Sequence, residues 1–212
     1  MIELRVNFHR QLEAIEAKVI QLFALVAEDL QGVTQALLDD EDVLEVVIDR
    51  ERIIDALYEE IESSVNQQLA RQAPVARDLR YLVSVLRIVP ELERSHDLVV
   101  HLARQAENRF GGELPPRVRG LIQQMGDTAS EMWRIAADSW YQRDGSTAAR
   151  LEGRDDELDQ LHAEFVTELA SGRNSLPVTM NLILVGRFYE RLGDHAVNVA
   201  RRVLYLAGRP AS

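Results

Sequence analysis

No cysteine occurs among the 212 residues. That absence removes disulfides, thiolate metal sites and cysteine nucleophiles together, and it fits a reducing compartment. Lysine is nearly missing too: Lys18 is the single one among 24 basic residues, a bias that reads as genomic base composition rather than function. No run approaches the ~18 apolar residues that span a bilayer, and the N-terminus lacks the apolar core of a secretory signal, so the chain is expected to be cytoplasmic. Alternating strand patterns are almost absent, as are a phosphate-binding glycine loop, a Gly-x-Ser-x-Gly elbow and a dinucleotide fingerprint. Positive charge is also short, since 35 acidic residues outweigh 24 basic ones for a net charge of −11. A nucleic-acid footprint is therefore not expected, and metal ions or basic protein surfaces are better-matched partners.

What is present is helical periodicity. Leu4, Phe8, Leu12, Ile15, Val19, Leu22, Val26, Leu30, Val33 and Leu37 recur at spacings of three and four, one apolar stripe along a single long helix. Asp39 to Asp42 would cap a second helix running from about Asp40 to Arg71. Pro74 ends that helix and opens a third, from Val75 to about Arg109. Gly111, Gly112, Pro115 and Pro116 form the strongest punctuation in the chain, near its midpoint. Beyond it the plan repeats: a helix from about Arg117 to Arg143, a turn at Asp144-Gly145-Ser146, a helix from Thr147 to about Ala170, and a last helix opened by Pro177 and ending near Ala207. The expected architecture is all-α, six long helices in two repeated antiparallel three-helix bundles, residues 1–110 and 115–212. Pro90 interrupts the third helix and predicts a kink there, with Arg187 at the equivalent place in the second half.

The repeat is visible in the residues themselves. Glu93 to Arg104 and Glu190 to Arg201 agree at half of twelve positions at an offset of 97, including Glu93/Glu190, Arg94/Arg191, Asp97/Asp194 and Arg104/Arg201. In each copy a glutamate precedes an aspartate by four residues, which puts two carboxylates on one helix face, one turn apart. Spacing alone is weak support, because ten such pairs occur in the chain where about six would arise by chance.

Register strengthens it. Glu51/Asp55 on the second helix and Asp155/Asp159 on the fifth carry the same pattern at an offset of 104. The seven-residue difference between the offsets is about two helical turns, so the faces stay aligned and the pairs are able to converge. Four carboxylates from two adjacent helices make a hard oxygen site suited to iron, manganese, magnesium or calcium. His101 and Asn198 lie one turn on, at equivalent positions, as further possible ligands. The alternative is a solvated acidic face whose carboxylates pair with arginines such as Arg94 and Arg191.

These residues resemble the PhoU family. The stretch from Pro74 to Asp97, with Asp78-Leu79-Arg80, an apolar run and then Glu93-Arg94 ahead of Asp97, is similar to the family's helix, and Phe188 to His195 is close to its signature. The resemblance covers the whole chain and implies two repeated three-helix bundles with metal clusters on their surface. It would place one site at Glu51, Asp55, Glu93 and Asp97 and a second at Asp155, Asp159, Glu190 and Asp194. The metal it implies is divalent or trivalent, iron first, with manganese, magnesium or zinc as alternatives. The resemblance further implies a non-enzymatic negative regulator of the phosphate-starvation response, modulating phosphate uptake. Its partners would be the ATPase subunit of the Pst phosphate transporter, a PhoR-type sensor histidine kinase and a second copy of the chain, with the membrane reached only through partners.

The first copy departs from the family pattern, with Ser95-His96 where the second has Leu192-Gly193. His96 would either add a nitrogen ligand or crowd a neighbouring helix, the second being favoured. If one site holds metal better, the second is expected to. Two rival functions remain: a metal-free helical scaffold, and a ferritin-like di-iron enzyme built on Glu93-x-x-His96 and Asp159-x-x-His162.

Overall fold

A computed structural model describes residues 2–110, 112, 114–143, 145–172 and 174–206. Among the described residues there are six α-helices and no strand: α1 (Ile2–Asp39), α2 (Leu44–Gln72), α3 (Ala76–Ala106), α4 (Pro116–Gln142), α5 (Ala148–Ala170) and α6 (Leu176–Leu206). A 3-10 turn, Gly145–Thr147, leads into α5. The stripe on α1 is buried from Ile15 to Leu37, with Val19, Leu22, Val26, Leu30 and Val33 fully enclosed. The side chain of Leu4, together with Gly111, Asp144 and Ala207, lies outside the described residues.

Helix ends differ from expectation where turn chemistry intervenes. Asp40 to Asp42 do not cap α2: its N-cap is Val43, which makes no side-chain cap bond, and Glu45 is the acid of the first turn. Asp40 instead takes a left-handed conformation with φ 57°, and its Oδ2 accepts the Gly112 N–H at 3.0 Å, which pins the linker between the halves to the α1 terminus. Asp39 faces Arg119 of α4 across 2.6 Å; that hydrogen bond, then one from Gln35, holds its carboxyl below the ordinary range. Pro74 stands outside α3, because Ala73 closes α2 in the left-handed region and the extended Val75 is the N-cap of α3. α3 continues as one helix through Pro90, whereas Pro116 occupies the first turn of α4 as its missing N–H permits.

The halves are superimposable in their burial patterns. α2 buries Val47, Ile54 and Ile61 at seven-residue spacing, and α5 buries Leu151, Leu158 and Phe165, the same pattern at the offset of 104. Such one-sided helices cover a core from outside. α3 and α6 bury far more of their circumference: Val85/Leu182, Ile88/Val185, Leu92/Tyr189, Val99/Ala196 and Ala103/Ala200 are buried at the offset of 97. The difference follows from position, since α3 packs on α1, α2 and α6, and α6 on α3, α4 and α5. α1 also packs on α4, and one hydrophobic core runs through both halves.

One polar contact locks α1 to α6 at that junction. Tyr189 of α6, fully buried, meets the Thr34 hydroxyl of α1 at 2.8 Å, while Thr34 donates to the Leu30 carbonyl at 2.8 Å. Burial, the largest influence, raises the Tyr189 phenol far above its usual range. α4 crosses α1 here through Gly126, where a Cβ would lie 2.3 Å from Thr34 Cγ2.

Candidate metal centres on the outer helices

α2 packs on α3 and α5 on α6 through the apolar rows just described, so the residues flanking those rows meet along two parallel seams. On the first seam, Glu51 is half-buried and Asp55 exposed on α2, with half-buried Glu93 and Asp97 on α3. Glu93 is the focus of this cluster. Burial pushes its carboxyl up, and the charges of Asp97, Asp55 and Glu51 push it the same way, against the opposing pull of Arg94. The other three residues of the first expected site therefore all act on Glu93. The Arg94 guanidinium itself is directed at Glu91, 3.7 Å away.

On the second seam, Asp155 and Glu190 are half-buried, and Asp159 and Asp194 are exposed. Here the focus moves to α5: the Asp155 carboxyl is pushed up to about 6, first by burial and then by Asp159, Asp194 and Asp156, with Arg201 opposing. Gly193 accounts for the burial. A Cβ at that position would sit 3.1 Å from Asp155 Oδ1 and 2.7 Å from Leu158 Cδ2, so the Asp155 carboxylate rests in a hollow over bare backbone. Glu190 takes a different course, since its Oε2 accepts a hydrogen bond from Arg187 one turn back on α6.

Position 96, the counterpart of Gly193, is handled differently in the first half. His96 is 1 % exposed and turns away from the carboxylates, its Nε2 3.0 Å from Asp29 Oδ2 on α1. Asp29 also accepts a hydrogen bond from Arg50 of α2, which reaches Glu28 at 2.7 Å with its other nitrogen. His96 thus faces α1 rather than the cluster; it joins a chain of buried His96, buried Asp29 and half-buried Arg50 that links α1, α2 and α3. In the second half the corresponding space is bounded by Met132 Cε of α4, 3.4 Å from the Gly193 Cβ position, as well as by Leu158 and the Asp155 carboxylate.

The other side chains considered as ligands are likewise engaged elsewhere. His101 stacks on Phe188 across the α3–α6 seam, ring centroids 5.3 Å apart, and Asn198 Oδ1 lies 3.5 Å from Arg201 Nη1. His162 lies beside Gly186, its Cδ2 3.0 Å from the Cβ position there. The two Glu/Asp-x-x-His motifs of a di-iron centre are therefore not assembled, because His96 of α3 is bonded to Asp29 of α1 and His162 packs in the α5–α6 interface.

The donor sets fit hard metal ions in chemistry: all-oxygen, clustered and mutually repelling, with a hollow over Gly193 that a side chain would fill. They are not drawn together into a ready-made shell, and among the described residues no three His, Asp or Glu side chains stand in metal-coordinating arrangement. A metal bound here would have to gather these carboxylates around itself.

Two polar clusters had no sequence signal. Ser95 donates to the Glu91 carbonyl at 2.6 Å and meets His195 Nδ1 at 3.1 Å, joining α3 to α6. At the far end of the bundle a cavity of about 560 Å³ is lined by Glu16, Arg77, Tyr81 and Arg143 among others. There the Arg143 guanidinium lies over the rings of Tyr81 and Trp140, 4.8 and 4.5 Å from their centroids. Glu16 Oε2 accepts from both Tyr81 and Arg143 at 2.7 Å. Their contacts between helices join residues 62 to 127 apart in the chain, beyond the reach of any local pattern.

Comparison with known proteins identifies the pattern. The family model described as the PhoU domain matches residues 19–106 and again 122–203. The chain is 35% identical over 209 residues to the "Phosphate-specific transport system accessory protein PhoU homolog 2" of Mycobacterium tuberculosis, covering 96% of this chain and 98% of that protein. It is 29% identical to a PhoU homolog of Clostridium acetobutylicum, over 94% and 93% of the two chains. The crystal structure of PhoU from Pseudomonas aeruginosa superposes with a TM-score of 0.88 at 26% identity, covering 95% of this chain and 99% of that one.

Proposed function

The chain belongs to the PhoU family, and from that premise we propose that it is a metal-binding, non-enzymatic adaptor that regulates phosphate uptake and restrains the phosphate-starvation response. The observation that carries this reading is the pair of repeat-related carboxylate clusters, each joining an outer helix to an inner one. Glu51, Asp55, Glu93 and Asp97 would hold metal on one seam and Asp155, Asp159, Glu190 and Asp194 on the other. The ions are divalent or trivalent: iron first, with manganese, magnesium or zinc as alternatives.

Bound there, the metal supplies positive charge that offsets the repulsion among the carboxylates. The chain's residues do the rest. Half-buried Glu93 and Asp155 sit at the helix interfaces, where charge neutralisation draws α2 toward α3 and α5 toward α6. The outer helices would then present one rigid face, and docking that differs between transport states would couple transport to signalling. The relatives' description as accessory proteins of a phosphate-specific transport system supports the ATPase subunit of that transporter as one partner. A PhoR-type sensor histidine kinase is the second and another copy of this chain the third, all met in the cytoplasm. No helix among the described residues is long and apolar enough to cross a membrane, in keeping with membrane contact through partners alone.

Neutralising all eight carboxylates as amides tests the proposal in cells. It predicts loss of phosphate-dependent repression of a starvation reporter and loss of co-purification with the transporter ATPase and the kinase. Unchanged repression by a folded octuple variant refutes the metal-dependent mechanism and leaves the metal-free scaffold.

A further inference from the structure

The two clusters are both all-carboxylate, with Asp155 where the first has Glu51, and differ in the cation nearest the inner-helix glutamate. On α6 the Arg187 guanidinium, 56% exposed, is hydrogen-bonded to Glu190, whose side chain is 18% exposed. An offset of 97 places Pro90 at the corresponding position of α3, three residues before Glu93. Proline carries no charge and no donor, so the first cluster has no counterpart of this ion pair. Arg94 is the arginine acting on Glu93, and it is directed at Glu91 instead.

Resting on the metal reading above, we propose that Arg187 is a built-in competitor cation at the second cluster. It holds Glu190 in an ion pair that a metal must displace, so that the first cluster loads before the second. Gly193 by itself suggested the opposite order. The charge balance reverses it: a glutamate already paired with a guanidinium gains less from a metal than one whose nearby arginine is directed at another carboxylate. No bond is made or broken beyond exchange of the guanidinium for the metal at Glu190 Oε2. The exposed guanidinium keeps the effect small, and an ion pair of this kind corresponds to about a fivefold change in affinity. Two clusters offset by that factor would respond to metal over a wider concentration range than two equal ones.

The test is a titration of the full chain with Mn²⁺, free Mn²⁺ being read by electron paramagnetic resonance. Wild type is expected to show two affinity classes, the tighter lost in Glu51→Gln/Asp55→Asn and the weaker in Asp155→Asn/Asp194→Asn. Arg187→Gln should tighten the weaker class about fivefold, a gain that shrinks at high salt because it is electrostatic. Pro90→Arg, which moves the competitor to the first half, should weaken the tighter class by a similar factor. Equal classes in wild type, or a weaker class indifferent to Arg187→Gln, overturns the competitor while leaving the metal sites standing. No Mn²⁺ uptake by any form refutes the metal reading itself, and the competitor with it.

Discussion

Replacing Asp155 by asparagine should stabilise the metal-free protein, although it removes a proposed ligand. Asp155 is driven to about 6 by burial over Gly193 and by the charges of Asp159, Asp194 and Asp156. A folded-state pKa raised above its unfolded value means that the ionised group opposes folding. Its contribution to stability is fully present below the ordinary aspartate range and is lost as pH rises through about 6. A shift of that size corresponds to roughly 3 kcal/mol. The carboxylate is only half-buried, so solvent screening reduces the expected gain from Asp155→Asn to about 1 kcal/mol at pH ~8. For a chain of this length that is a rise in melting midpoint of about 2–4 °C. The assay is thermal unfolding followed by circular dichroism, in chelator, at pH ~8 and again at pH ~4. The gain should appear at the higher pH and nearly vanish at the lower, where wild-type Asp155 is already protonated. An equal or lower midpoint at pH ~8, or a gain of the same size at pH ~4, refutes the electrostatic account of the cluster.

Gly193→Ala should destabilise the fold by about 1–3 kcal/mol in chemical denaturation, because its Cβ would fall 2.7 Å from Leu158 Cδ2 and 3.1 Å from Asp155 Oδ1; no change in midpoint would mean that α5 moves away at little cost. Asp29→Ala leaves buried His96 without its partner and takes one of two carboxylates from Arg50, for an expected loss of about 3 kcal/mol in the same assay. Tyr189→Phe, which removes only the hydroxyl facing Thr34, should cost about 1 kcal/mol with no effect on Mn²⁺ uptake.

The six helices, their repeat and the carboxylate positions were legible in the sequence because each is a local matter of period, punctuation or register. Seven-residue spacing of Val47, Ile54 and Ile61, repeated by Leu151, Leu158 and Phe165, was there to be read. So was the register that carries Glu51/Asp55 and Asp155/Asp159 onto the faces of Glu93/Asp97 and Glu190/Asp194. Helix caps were less legible: Asp40 offers the right chemistry for capping α2 but bonds Gly112, since the linker supplied a nearby competing donor. The pairing of Arg187 with Glu190 is a three-residue spacing that the sequence does contain. Its meaning emerges only beside Pro90.

The sequence by itself determined two copies of one helical plan and which carboxylates would share a face, because helical period converts residue spacing directly into direction. Tertiary structure alone decided how those copies differ. Asp29 lies 67 residues from His96, and no local rule could announce that an imidazole one residue from a proposed ligand would be claimed by α1. The same holds for the hollow under Asp155, which exists because α5 closes onto Gly193. Charge and burial act through space, so the ionisation of Glu93 and Asp155 was set by packing between helices rather than by the order of residues along them.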